Sequence, residues 1–151
     1  MTFPTVRGSN LLRQLITLPK DFQGRLNLVF IAFEQWQQME VDSWIPLIKE
    51  LEQQVEGLFY YELPTIQGRN TIYQWFINEG MRAGIPNPKT RLRTITLYLD
   101  KRKFRQALEL DDEKHIHILL VDRQGQVLFR LRGQHSRDAE ASLRQILLQL
   151  S

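Results

Sequence analysis

From Leu26 to Phe33 every position but Asn27 is apolar. A near-continuous run of this length, set off by the turn signal Asp21-Phe22-Gln23-Gly24, predicts a strand covered on both faces. Beyond it the period changes. Ile45, Ile48, Leu51 and Val55 recur at helical spacing and predict a helix from about Asp42 to Val55. Asp42 or Ser43 would cap its first turn, Pro46 would sit near its start, and Gly57 just past its end. Leu58 to Leu63 reads as a second strand, rich in aromatics and closed by Pro64. Asn70 opens a predicted helix to about Arg82, with Ile72, Tyr73, Phe76 and Ile77 on its apolar side. Arg93 to Leu99 alternates, with Ile95, Leu97 and Leu99 on one face and Thr94, Thr96 and Tyr98 on the other, as a half-buried strand does.

A short helix over Lys101 to Leu108 follows, then strands over Ile116 to Val121 and Gln126 to Arg132. Asp122-Arg123-Gln124-Gly125 joins those two as a hairpin, with Gly where a positive φ is needed. The last helix opens at Ser136 and carries Ala139, Leu143, Ile146, Leu147 and Leu150 on one stripe. Residues 1–25 read as a lead-in segment with a short helix around Asn10 to Leu15, and residues 26–151 as the domain proper. Alternating strands and helices followed by a late hairpin predict a single α/β domain of three layers, a mixed sheet flanked by helices.

Composition fits that picture. A chain of 151 residues, 42% hydrophobic and 25% charged, is long enough for one domain with a real core. No apolar run approaches the roughly 20 residues that span a bilayer. The first ten residues lack the basic and apolar regions of a secretory signal, so the expected compartment is the cytoplasm, with an organelle stroma second. There is no cysteine. Disulfides, thiolate metal sites and thiol catalysis are therefore excluded.

The net charge of +3 is unevenly spread. Glu34 to Glu62 is acidic, whereas Arg82 to Arg105 is basic through Arg91, Arg93, Lys101, Arg102, Lys103 and Arg105. The simplest origin is two solvated faces. The alternative is a surface that steers an acidic protein or an anionic membrane complex. Tyr98 and Phe104 interleave with the basic residues, but alternation splits the set between faces, so nucleic acid is not the expected partner. His115 and His117 would share one face of a strand, yet no third ligand is defined and no metal site follows. His135-Ser136 reads as a loop and an N-cap. The glycines are scattered singly, without a phosphate-binding loop, and no cofactor is expected.

Two local patterns carry a family resemblance. Phe33, Trp36 and Pro46 surround the first strand–helix junction, and His117-Ile-Leu-Leu-Val-Asp122-Arg-Gln-Gly125-Gln-Val-Leu-Phe129-Arg-Leu-Arg-Gly133 forms the late hairpin. Together with the element order they resemble the thioredoxin-like superfamily in its larger, peroxiredoxin-type form. The hairpin is also similar to that of a cysteine-poor branch, the mitochondrial ATP synthase assembly factors. The resemblance implies redox cysteines eight and five residues before the helix proline. Those positions hold Gln38 and Val41 here. It also implies a functional groove at Gln38-Met39-Glu40, with Met39 and Trp44 offering apolar contact. The expectation is thus a redox-inactive interaction protein of thioredoxin-like fold, such as an assembly factor or chaperone. It would bind a protein partner, with peripheral contact to a membrane complex in view, through Gln38, Met39, Glu40 and Trp44 or through Arg91, Arg93, Lys101, Arg102 and Lys103. The rival expectation is a cysteine-free enzyme or a small-ligand-binding derivative of the same fold.

Overall fold

The computed structural model describes residues 1–67 and 93–150. The helix predicted from Asn70 to about Arg82, and Arg91, lie outside the described residues.

Among the described residues seven strands form one mixed sheet in the order β2-β1-β5-β4-β3-β6-β7. They are β1 (Val6–Asn10), β2 (Leu15–Leu18), β3 (Leu26–Ala32), β4 (Leu58–Ile66), β5 (Ile95–Tyr98), β6 (His117–Asp122) and β7 (Val127–Arg132). Among the described residues four α-helices accompany them: α1 (Gln38–Asp42), α2 (Ile45–Gln54), α3 (Lys101–Leu108) and α4 (Arg137–Gln149). β3, β4 and β5 run parallel, and the remaining pairings are antiparallel. The apolar run of β3 is buried at all seven positions, because it lies between β4 and β6 and under side chains on both faces. On one face Leu28, Phe30, Trp44, Ile48, Leu143 and Leu147 join a core under α2 and α4. On the other, Val29, Ile31, Leu63, Leu97, Phe104 and Leu108 join a second core under α3. Three layers result, as the element order predicts.

Several local expectations hold. α3 spans the predicted residues, with Asp100 accepting the amides of Arg102 and Lys103. α4 begins after Ser136, whose hydroxyl accepts from Ala139 N–H at 3.1 Å. Gly125 has φ +84 in the β6–β7 turn.

Others are corrected. Asn10 to Leu15 is a turn between β1 and β2, not a helix. The Asn10 side-chain oxygen accepts from Leu12 N–H and Gln14 N–H, fastening the turn. The helix predicted from about Asp42 to Val55 is α2, which begins later, at Ile45; the separate α1 ends at Asp42, because Pro46 has no N–H to bond back to the Asp42 carbonyl. Ser43 is not a cap. Its hydroxyl donates to Glu40 O and accepts from His135 N–H. β4 runs past Pro64 to Ile66, since Pro64 falls at the last β3–β4 pair and just before the two-residue ladder with β5. β5 is not half-buried: Thr94 and Thr96 are as buried as Ile95 and Leu97, because β5 lies inside the sheet between β1 and β4.

Candidate functional site

β3 ends at Ala32, and the chain turns through a 3-10 segment, Gln35–Gln37, into α1. Burial here follows a helical stripe: Gln37, Glu40, Val41, Trp44 and Ile48 all face inward. Two of the five are polar, and each must find partners in place of water.

Gln37 has none of its side chain exposed to solvent. Its Oε1 accepts from Phe33 N–H at 2.8 Å and Glu34 N–H at 3.3 Å, and its Nε2 donates to Glu113 O at 2.6 Å. Glu40 reaches the same loop. Its Oε1 accepts from Ile116 N–H at 3.1 Å, and its Oε2 lies 3.0 Å from His115 Nδ1, a bond that needs a proton on that nitrogen. From the α3 side, Lys101 Nζ donates to Phe33 O at 2.7 Å and Arg105 Nε to Glu113 Oε2 at 2.9 Å. The loop before β6 is thereby tied to the end of β3 and to α1 from two directions. Trp44 closes the corner beneath, fully buried, with Nε1 donating to Gly133 O at 3.0 Å.

The two positions where a redox pair would stand are occupied differently. Gln38 opens α1, half-buried, and its Nε2 donates to Glu62 Oε1 at 2.8 Å and Asp42 Oδ1 at 3.2 Å. Val41 is buried in the core. Thiol–disulfide exchange needs a thiolate, and neither side chain supplies one. The corner is fastened, not open. Two large apolar side chains nevertheless stay outside it: Trp36 is 53% exposed and Met39 68%.

The predicted partner-binding residues divide accordingly. Met39, Arg102 and Lys103 are on the surface, and Gln38 is at its edge. Glu40 and Trp44 are buried and spend their polar atoms internally. Arg93 is buried as well, its guanidinium 2.6 Å from Glu52 Oε2 and 4.6 Å over the Tyr60 ring. Lys101 points inward to Phe33 O. Among the described residues the basic segment therefore presents Arg102 and Lys103 rather than a continuous stripe. Trp36, which in the sequence only marks the junction, is the most exposed aromatic at this corner. Three residues from Met39 on a helical turn, it shares that residue's side of the chain.

His115 and His117 do not share a face as a ligand pair would. His115 precedes β6 and binds Glu40, whereas His117 is buried with Nε2–H donating to Asp112 O at 2.8 Å. No group of three His, Asp or Glu side chains is placed to hold a metal ion among the described residues. Burial pushes the His117 imidazole below its ordinary value of 6.5, more than the neighbouring Asp112 raises it. Below about pH 6.5 the unfolded chain takes up a proton that the folded protein refuses, so this part of the stability is full above that pH and is lost as the pH falls. Urea midpoints should fall more steeply from pH 7.5 to 5.5 in the native protein than in His117→Gln. Equal slopes would remove His117 from the account.

Among the described residues no helix is long and apolar enough to cross a membrane. No protein-family model and no curated protein matches the sequence. Solved structures do match. An uncharacterized thioredoxin-like protein from Porphyromonas gingivalis aligns with a TM-score of 0.64 at 15% identity, over 98% of this chain and 90% of that one. A putative thiol:disulfide interchange protein, DsbE, from Chlorobium tepidum gives 0.63 at 16% identity, over 99% and 96%. Mycobacterium tuberculosis AhpC gives 0.57 at 20% identity, over 99% and 90%. At such identities the likeness shows the fold alone. The fold is thioredoxin-like, in one α/β domain. Within that class this chain is a cysteine-free form, unable to carry out thiol–disulfide exchange.

Proposed function

We propose that this protein acts by holding a protein partner and not by catalysis, with Trp36 and Met39 as its principal contacts. The observation that carries the reading is their exposure beside a corner whose Gln37 and Glu40 side chains are turned inward. A fixed turn presenting two large apolar side chains costs little ordering on binding, and Trp is the residue type most enriched among energetic hot spots. Arg102 and Lys103 supply exposed positive charge from the first turn of α3. An assembly-factor or chaperone role, with peripheral contact to a membrane complex, is the form of partner binding that the hairpin resemblance favours.

Photo-crosslinking from position 36 or 39 tests this, with position 148 on α4, where the native leucine is 76% exposed, as the control. Crosslinks to one defined protein should form from 36 and 39, in extracts made with and without detergent, and not from 148. The double variant Trp36→Ala/Met39→Ala should lower affinity for that protein by about thirtyfold, the effect of losing a ~2 kcal/mol hot spot. Its stability should change by no more than ~0.5 kcal/mol, as surface substitutions do. Crosslinking that is equal from all three positions, or absent from 36 and 39, contradicts the proposal.

A further inference from the structure

With no cysteine in the chain, its only sulfur atoms are the thioethers of Met1, Met39 and Met81. Met81 lies outside the described residues. The other two have different surroundings. Met1 is 42% exposed, and its Sδ accepts from Arg130 Nη2 at 3.1 Å. That bond occupies a lone pair, and the guanidinium charge draws electron density from the sulfur. Met39 is 68% exposed, and among the described residues its sulfur accepts no hydrogen bond. Its thioether is the one left open to an oxidant in solution.

The position of Met39 gives that reactivity a consequence. It follows Gln38, one of the two positions where a redox cysteine would stand, and it lies three residues from Trp36. α1 carries it outward while Gln37, Glu40 and Val41 turn inward. It packs against neither core cluster. Oxidising a core methionine disrupts packing, whereas oxidising this one changes only what the surface offers a partner.

We propose that Met39 is a reversible oxidation site whose sulfoxide releases the protein partner held at this corner. A lone pair of Sδ attacks the terminal oxygen of a hydroperoxide. The S–O bond forms as the O–O bond breaks, the proton on the transferred oxygen passes to the departing oxygen, and water or an alcohol leaves. Sulfur loses two electrons and the peroxide gains them. The side chain that results is polar, and against an apolar partner surface its oxygen loses water without gaining a donor. This inference rests on the partner-binding reading of Trp36 and Met39 and adds its regulation.

The test uses the full chain with the photo-crosslinker at position 36, Met39 in place, and hydrogen peroxide as the oxidant, removed before the protein meets a desalted extract. Peptide mapping should show Met39 converted several-fold faster than Met1. As Met39 converts, partner affinity read from the crosslinked product should fall about tenfold, the equivalent of ~1.4 kcal/mol. Methionine sulfoxide reductases for both epimers should restore it. In Met39→Leu, treated and untreated protein should give the same yield as each other. Undiminished product from fully oxidised Met39, a peroxide-induced loss that persists in Met39→Leu, or conversion of Met1 as fast as Met39 overturns the inference and leaves the partner reading standing. Absence of product from the untreated protein removes the partner reading, and this inference with it.

Discussion

Replacing Trp44 with alanine should lower the unfolding free energy by about 3–5 kcal/mol, the cost of truncating a fully buried large aromatic. The side chain has no solvent exposure, packs at 6.3 Å from the Phe30 ring and at 5.3 Å from the His135 ring, and sits at the junction of α1 and α2. Its loss opens a cavity under the corner and also leaves Gly133 O without its donor. Against a typical total of ~5–15 kcal/mol that is a large fraction, and the variant should populate unfolded chain at moderate temperature. Trp44→Phe separates the two contributions. It keeps most of the ring and removes the N–H, so its loss should be about 1–2 kcal/mol. Urea midpoints at constant slope provide the measurement. A Trp44→Ala loss below ~1 kcal/mol would mean that the corner does not rest on this side chain.

Glu40→Ala should cost about 2–3 kcal/mol, and for a different reason. Little apolar surface is lost. What remains is Ile116 N–H, buried and without its carboxylate acceptor, a group whose isolation alone costs ~1–3 kcal/mol. The His115 contact adds little, since that ring is half-exposed and such pairs contribute ~0–1 kcal/mol. Glu40→Gln retains an oxygen for Ile116 N–H and should recover most of the loss. If the glutamine and alanine variants are equally destabilised, the charge and not the hydrogen bond holds the loop.

Much of this fold was legible because its signals are local. The apolar run of β3, Asp100 and Ser136 as caps, and Gly125 in its turn each carry their own reason within a few residues. The β1–β2 hairpin was hidden because Leu11 and Leu12 look like the start of a helical face, while the deciding interaction is one side chain, Asn10, closing a turn. At the corner the sequence located the strand–helix junction but not the burial of its polar residues. The residue types of Gln37 and Glu40 give no sign of burial, and the partners Glu113 and Ile116 each lie 76 residues away in the chain. One signal was present: both fall on the helical stripe of Val41, Trp44 and Ile48, where a polar residue must be buried and satisfied. The exposure of Trp36 had no such signal, since a tryptophan beside a strand end is more often covered.

The corner left vacant by the absent cysteines is thus a fastened surface with two apolar side chains standing on it. Hydrogen exchange at the amides of Phe33, Glu34 and Ile116 tests this most directly, because side chains and not strand partners hold all three. In the native protein Ile116 and Phe33 should exchange as slowly as the amides of β3 and β6, and Glu40→Ala should release Ile116 selectively. Exchange of these amides in the native protein at the rate of an open loop would show a corner that is not closed, and would contradict the account.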